Sequence, residues 1–560
     1  MSAPTTTPHS ATNPQPPSGK LGLLKKARTA ILKHVRHLGV GIVCAVAYFD
    51  PGNWGVDLQA GSLYGYRLLF VVLLAGLFAV YLQVLGSRLG CVTGLDLASH
   101  TRLLLYNRPK HPRLYRWLTL YPLYVLAEIA IIATDLAELI GSAIALCLLF
   151  PKLELWHGVL LTTADVLFIL ALGDPLRGKP ARMFEFLIAA MVLAVLICMT
   201  IIISRVDVDW GQAFLGYVPS KYVFGSGSLY TSIGIIGATV MPHSLFIGSA
   251  LATQDRRRTE CAPEKDDKLD LTPTDSRKSS DISTLASPSP FHSFRSRVEE
   301  SIRAFFRKPP PSIFATSATR HSQHENNAFS FVRAHIYHGI VDVVVCLLSF
   351  AILINSLILI LASAVFYYGK GDLGDADPAS LFDAYDLIGE RVGHSAATLF
   401  AIALLASGQS SSFIATVAGQ AVSEGFIQWR VAPAMRRLAT RLIAIIPSMI
   451  VAVAVGRSGI DALLVASQVV LSIVLPFITF PLLYCTSSKK IMRIRKDPVA
   501  VNSLMQGGGG DVSAGEGASS EEWIDYSNGK ITIGVGILIW LVIVAANGYV
   551  VISLIVSAAQ

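Results

Sequence analysis

Charge is scarce in this chain. Of 560 residues only 15% are Asp, Glu, Lys or Arg, whereas 52% are hydrophobic. A soluble domain carries about a quarter charged residues, so a soluble globular fold is excluded. Cysteine chemistry is also missing. Cys44, Cys91, Cys147, Cys198, Cys261, Cys346 and Cys485 form no CxxC pair. Most sit in apolar runs, where a thiol packs as a small hydrophobe. This argues against a disulfide framework and a thiolate metal centre. No GxxxxGK[ST] loop is present, which argues against ATP-driven pumping. The polar, Pro/Ser/Thr-rich start turns basic without a signal-peptide pattern, so no cleavable leader is expected.

What the chain has is apolar runs of about 20 residues, each long enough to cross a bilayer. They predict an all-α membrane protein with about eleven spans, at 38–62, 67–89, 118–149, 157–173, 182–204, 228–251, 335–368, 394–424, 438–456, 459–486 and 531–556. Basic residues cluster before span 1 and after spans 2, 4, 8 and 10, the group after span 8 being Arg430, Arg436 and Arg437. The 371–392 loop is acidic. The positive-inside rule then places the N-terminus in the cytoplasm. The net charge of +8 reflects these loops and is no nucleic-acid footprint.

The segments divide into a disordered cytoplasmic N-terminus (1–35), a first repeat with span 6 (36–251) and a Ser/Pro/Arg/Lys-rich insert (252–332). Spans 7–10 (333–486), a cytoplasmic linker (487–530) and an extra span (531–560) follow. The insert's composition predicts disorder. Within it, 301–308 suits either a membrane surface or solvent, and Ser279, Ser280 and Ser287 are within reach of kinases or regulatory proteins. Residues 1–19 and 505–520 read as flexible.

Two spans are broken at corresponding places. Span 1 carries Asp50-Pro51-Gly52-Asn53, and span 6 carries Met241-Pro242-His243. Five spans separate their starts, and an odd repeat length inverts the second unit, the pattern of secondary transporters. Both first half-helices point C-terminal ends at the midplane, where freed carbonyls carry partial negative charge. Asp50 adds a full charge, Asn53 an amide oxygen and Ala238 a freed carbonyl. A kink needs only Pro or Gly. Met241 is either packing or a ligand. As a ligand its thioether favours Mn²⁺, Fe²⁺, Co²⁺ or Cd²⁺ over Na⁺, Mg²⁺ or Ca²⁺. Gln468 in span 10 either bridges helices or completes the ion's shell.

Glu128, Asp135 and Glu138 share one face of span 3. Each costs about 2.5–3.5 kcal/mol if charged in lipid, so they must line water, find partners or be protonated. With His243 they suit a proton path or a structural network, with Arg441 as partner or gate. Asp165 and Asp342 have no clear place, and Asp57 and Glu185 lie near span ends or breaks.

Five pieces carry a family resemblance: DPGN at Asp50–Asn53, ATVMPHS at Ala238–Ser244, TDLAE at Thr134–Glu138, GQSSS at Gly408–Ser412, and SQVVLS with LP at Ser467–Pro476. The chain resembles the Nramp family of proton-coupled divalent-metal transporters, over about 35–251 and 333–486. The long insert is similar to that of fungal members, and N-x-S/T acceptor sites familiar in animal members are absent. The resemblance implies a LeuT-like 5+5 inverted repeat. It also implies metal ligands Asp50, Asn53, Ala238 and Met241, with Gln468 in some states. His243, Asp135 and Glu138 would carry or influence protons, with Glu128 further along.

The expected function is therefore proton-coupled symport of Mn²⁺, Fe²⁺ and also Co²⁺ or Cd²⁺, with no catalytic residues and no resident cofactor. Expected partners are divalent ions, protons and a plasma-membrane or endomembrane (vacuolar or endosomal) bilayer, and not nucleic acid. The rivals are a Na⁺-coupled amino-acid transporter of the same fold and a non-transporting metal sensor.

Overall fold

The computed structural model describes residues 39–162, 182–256, 316–369, 380–496 and 522–559. The first span consists of two helices, α1 (Val40–Val46) and α2 (Pro51–Tyr64). After a 3-10 turn comes α3 (Leu69–Thr93), which ends at Gly94 with φ 72°, a left-handed stop that favours glycine. Then follow α4 (Leu97–Leu105), α5 (Tyr121–Leu149), α6 (Leu155–Thr162) and α7 (Arg182–Ile203). The sixth span is again a pair, α8 (Ser226–Thr239) and α9 (Pro242–Leu251). The remainder is α10 (Phe329–Tyr367), α11 (Leu381–Arg391), α12 (His394–Ile427), α13 (Pro433–Ala454), α14 (Arg457–Ser487) and α15 (Lys530–Ala559).

Among the described residues nine helices are long and apolar enough to cross a membrane, against the eleven expected spans. The break in the first span accounts for one of the two, and the fourth span, mostly outside the described residues, for the other. Seven residues of α1 reach only about 10 Å, and α2 runs on into α3 as one stretch, Pro51–Thr93. The fourth expected span is described only as far as Thr162, and Asp165 lies outside the described residues. So do the expectations for 1–19, for 301–308, for Ser279, Ser280 and Ser287, and for 505–520.

Both breaks form for the same reason. Pro51 and Pro242 take the first turn of their helices, where a missing N–H leaves nothing unpaired. Small residues then let neighbours close in. A Cβ on Gly141 of α5 would come within 2.0 Å of Pro51, and one on Gly408 of α12 within 2.4 Å of Ser142. The helices α5, α12 and α14 thus pack directly around the start of α2, while α10 packs along its other side.

One end of the bundle is tied by short polar segments. Strand β1 (Arg493–Arg495) pairs antiparallel with β2 (Trp523–Asp525). Residues 316–328, a described part of the long insert, cross the same end as a strap. Asn327 donates from its backbone N to the Val92 carbonyl (3.1 Å), and Asn326 Nδ2 to that of Ile491 (2.7 Å). The stacked imidazoles of His100 on α4 and His321 on the strap share a 2.9 Å hydrogen bond.

Candidate metal and proton site

The site grows out of the broken first span. Side chains from three elements address the Tyr48 and Phe49 carbonyls at the break. Asn355 Nδ2 donates to the Tyr48 carbonyl (2.7 Å). Ser407 Oγ (2.6 Å) and Trp54 Nε1 (3.1 Å) both donate to Phe49 O. An unmet carbonyl buried in apolar surroundings costs several kcal/mol, so these donors hold the unwound turn in one shape.

Asp50 is the N-cap of α2, and its Oδ1 accepts from Asn53 N (2.9 Å) and Asn53 Nδ2 (2.8 Å). The same amide donates to Ala238 O at 3.1 Å, which joins the break in the first span to that in the sixth. Asp50 Oδ2 is buried and has no hydrogen-bond partner. Met241, also buried, caps the start of α9, and Ser244 Oγ donates to its carbonyl (2.8 Å). Tyr48 OH lies 2.7 Å from Ser244 Oγ, a second link between the two breaks. Gln468 of α14 presses on Gly52, where an added Cβ would meet its Nε2 at 1.8 Å. Its Oε1 is buried without a partner.

Asp50, Asn53, Ala238, Met241 and Gln468 are thus placed by the helix breaks and by α14. The junction has two helix C-terminal ends, as expected. It also has two N-terminal ends, with Asp50 capping one of them, and the sequence reading passed over these. Among the described residues no three His, Cys, Asp or Glu side chains gather into a metal cage. One carboxylate with neutral donors suits an ion that must be released, because each added charge tightens the hold.

The ionisable row on α5 separates into paired and unpaired groups. Glu128 accepts from Arg436 Nη2 at 2.8 and 2.6 Å. Asp135 Oδ1 accepts from Arg437 Nη1 (2.7 Å) and Arg441 Nη1 (2.9 Å), all three side chains being buried. Ser412 Oγ accepts from both arginines. Glu138 is buried with neither oxygen partnered. His243 Nδ1 lies 3.3 Å from Thr134 Oγ1, and its Nε2 has no partner.

Arg436 and Arg437 correct the sequence reading, which counted them as loop charges after span 8. The helix α13 starts at Pro433, a turn before the expected 438, and carries both into the interior. The i, i+4 spacing of Arg437 and Arg441 was the available signal. Asp342, left without a clear place, now has one: its Oδ2 accepts from Gly41 N (2.8 Å) and Gly39 N (3.3 Å) at the start of α1. Glu185, expected near a span end, pairs there with Arg256 at 2.8 Å.

Comparison with known proteins agrees with this architecture. Residues 41–285 and 310–507 match the natural resistance-associated macrophage protein-like family, Nramp. The chain is 41% identical to the manganese transporter pdt1 of Schizosaccharomyces pombe, over 93% of this chain and 86% of that one. It is 35% identical to the iron transporter SMF3 of Saccharomyces cerevisiae, over 94% and 97%. A crystal structure of the Eremococcus coleocola manganese transporter, bound to an aromatic bis-isothiourea compound, superposes with TM-score 0.65 at 29% identity, covering 95% of this chain and 87% of that one. The fold is the LeuT-like one with discontinuous first and sixth spans, and the chain belongs to the Nramp family.

Proposed function

We propose that this protein carries divalent transition-metal ions across a membrane by alternating access, with protons as the coupled ion. One observation carries the reading: Asp50 Oδ2 is buried without a partner at the point where Asn53 binds Ala238 and so joins the two helix breaks. A bare carboxylate in that position calls for a cation. Asn53, the Ala238 carbonyl and the Met241 thioether are the neutral donors that fit a transition ion, with Gln468 completing the shell in some states. The ion is cargo and not a resident cofactor.

Protons would use the adjoining groups. Both Glu138 oxygens and His243 Nε2 are buried without a hydrogen-bond partner, which leaves these groups open to take up and release a proton. Asp135, Arg437, Arg441, Glu128 and Arg436 form the charged lane beyond them. We place the strap end and the N-terminus in the cytoplasm, by the bias of basic residues. The relatives named for manganese and iron support Mn²⁺ and Fe²⁺ as cargo.

The test is metal-evoked acidification of proteoliposomes under an inside-negative potential. Mn²⁺ or Cd²⁺ should acidify the lumen. Metal uptake without acidification removes the proton coupling, and no metal uptake removes the transport reading. Uptake driven by Na⁺ with an amino acid points to the rival carrier.

A further inference from the structure

Asp57 is used by nothing described so far. It sits on α2 with 1% of its surface exposed, and its Oδ2 has no hydrogen-bond partner. Among the described residues no cation forms an ion pair with it. A buried carboxylate left bare costs several kcal/mol, so Asp57 is neutralised either by a bound proton or by a cation that comes and goes.

Its position narrows what that is. Asp57 follows Asp50 by seven residues, which in a helix brings it to within about 20° of the same face and about 10 Å further along. Asn53, which contacts Ala238, lies between them. Gly61, one turn beyond Asp57, lies against α10, where a Cβ would meet the Leu359 carbonyl at 2.5 Å, and Val56 lies against Gly234 of α8. Asp57 therefore faces the seam between α8 and α10. It is turned roughly 120° away from Pro51, which meets α5 and α12 and with them the arginine-laced carboxylates. Asp57 is in line with the ion site and off the face of the proton lane.

We infer that Asp57 forms a second cation position, where a divalent ion keeping part of its water shell is held on its way between Asp50 and the end of the bundle opposite the strap. This rests on the transport reading above. The donor there is a hard carboxylate oxygen with water and no thioether at that turn. Such a position accepts Ca²⁺ and Mg²⁺ as well as Mn²⁺, and selection is left to Met241. The two positions act in series: the outer one gathers, the inner one discriminates.

The experiment uses the full chain in proteoliposomes, with wild type, Asp57→Asn and Asp57→Glu. Wild type must first take up Mn²⁺; if it does not, the transport reading fails and this one is not at issue. Loss of one carboxylate about 4 Å from a divalent ion, even at the dielectric of water, changes occupancy by about thirtyfold. Asp57→Asn should therefore raise the KM for Mn²⁺ by about thirtyfold, with kcat and the pH profile of uptake unchanged. It should also abolish competition by millimolar Ca²⁺, and Asp57→Glu should restore both. Equilibrium binding of Mn²⁺ should fall from two ions per chain to one in Asp57→Asn, a readout that a merely structural role would not move. An unchanged KM with unchanged Ca²⁺ competition overturns the proposal. So does a shifted pH profile at constant KM, which would make Asp57 a proton carrier instead.

Discussion

Asn53 donates to the Ala238 carbonyl across 185 residues of sequence, at 3.1 Å, from the amide that also binds Asp50. The two helix breaks are thereby one structure. Replacing Asn53 with Ala frees both partners and leaves Asp50 with only the backbone N–H of residue 53. Hydrogen bonds to charged groups contribute about 1.5–3 kcal/mol, so Mn²⁺ uptake at subsaturating metal should drop by about tenfold or more. Uptake assays across Mn²⁺ concentrations check this, and wild-type affinity in Asn53→Ala would contradict it.

The thioether of Met241 sets selectivity. Met241→Ala should lose discrimination against Ca²⁺ and weaken competition by Cd²⁺, since the remaining donors are all oxygens. Competition of Ca²⁺ and Cd²⁺ with Mn²⁺ uptake reads this directly, and an unchanged order of preference would count against a sulfur ligand.

Two carboxylates three residues apart should behave in opposite ways. Asp135 is shared by two buried cations, Arg437 and Arg441. Asp135→Ala strands them, which costs about 3–5 kcal/mol and should lower the melting temperature of the purified protein. Glu138 has no partner, so the isosteric Glu138→Gln should leave melting unchanged while flattening the pH dependence of metal uptake. Equal destabilisation by the two changes would make Glu138 part of the structural network.

The strap should loosen in acid. Burial, helped by His324 and Arg108, pushes the pKa of His321 down to about 4, and burial with the neighbouring imidazoles holds His100 well below its ordinary value. Detached histidines take up protons from about pH 6.5 downward. The free state then binds more protons than the latched one, so attachment is full above pH 6.5 and weakens as pH falls toward 4. Protection factors at residues 316–328, taken relative to the intrinsic exchange rate at each pH, should fall over that window, and His321→Ala should be less protected already at pH 7.5. Protection independent of pH would remove the imidazole pair as the latch.

The breaks at Asp50–Asn53 and Met241–His243 are legible in the sequence because helix-stopping and polar residues stand out in apolar runs. The single face of Glu128, Asp135 and Glu138 is legible because helical spacing is fixed. Which of the three finds a partner is not, since that depends on where α13 begins and how closely it meets α5. The donors of Asn355 and Ser407 are hidden for a similar reason. An amide or hydroxyl in an apolar span gives no sign of which carbonyl it will reach 307 or 358 positions away. The strap lies in a stretch whose composition argues for disorder, and several of its attachments are to backbone carbonyls that no side-chain pattern reveals.

At the junction one ion is held by oxygen donors and one sulfur. X-ray absorption at the cadmium edge, on protein loaded with one Cd²⁺ per chain, reads that shell. Wild type should show a mixed oxygen and sulfur shell, Met241→Leu a shell of oxygens alone, and Asp50→Ala no sulfur in the shell of any ion that still binds. An identical shell in wild type and Met241→Leu, or a retained sulfur neighbour in Asp50→Ala, would refute the mixed site.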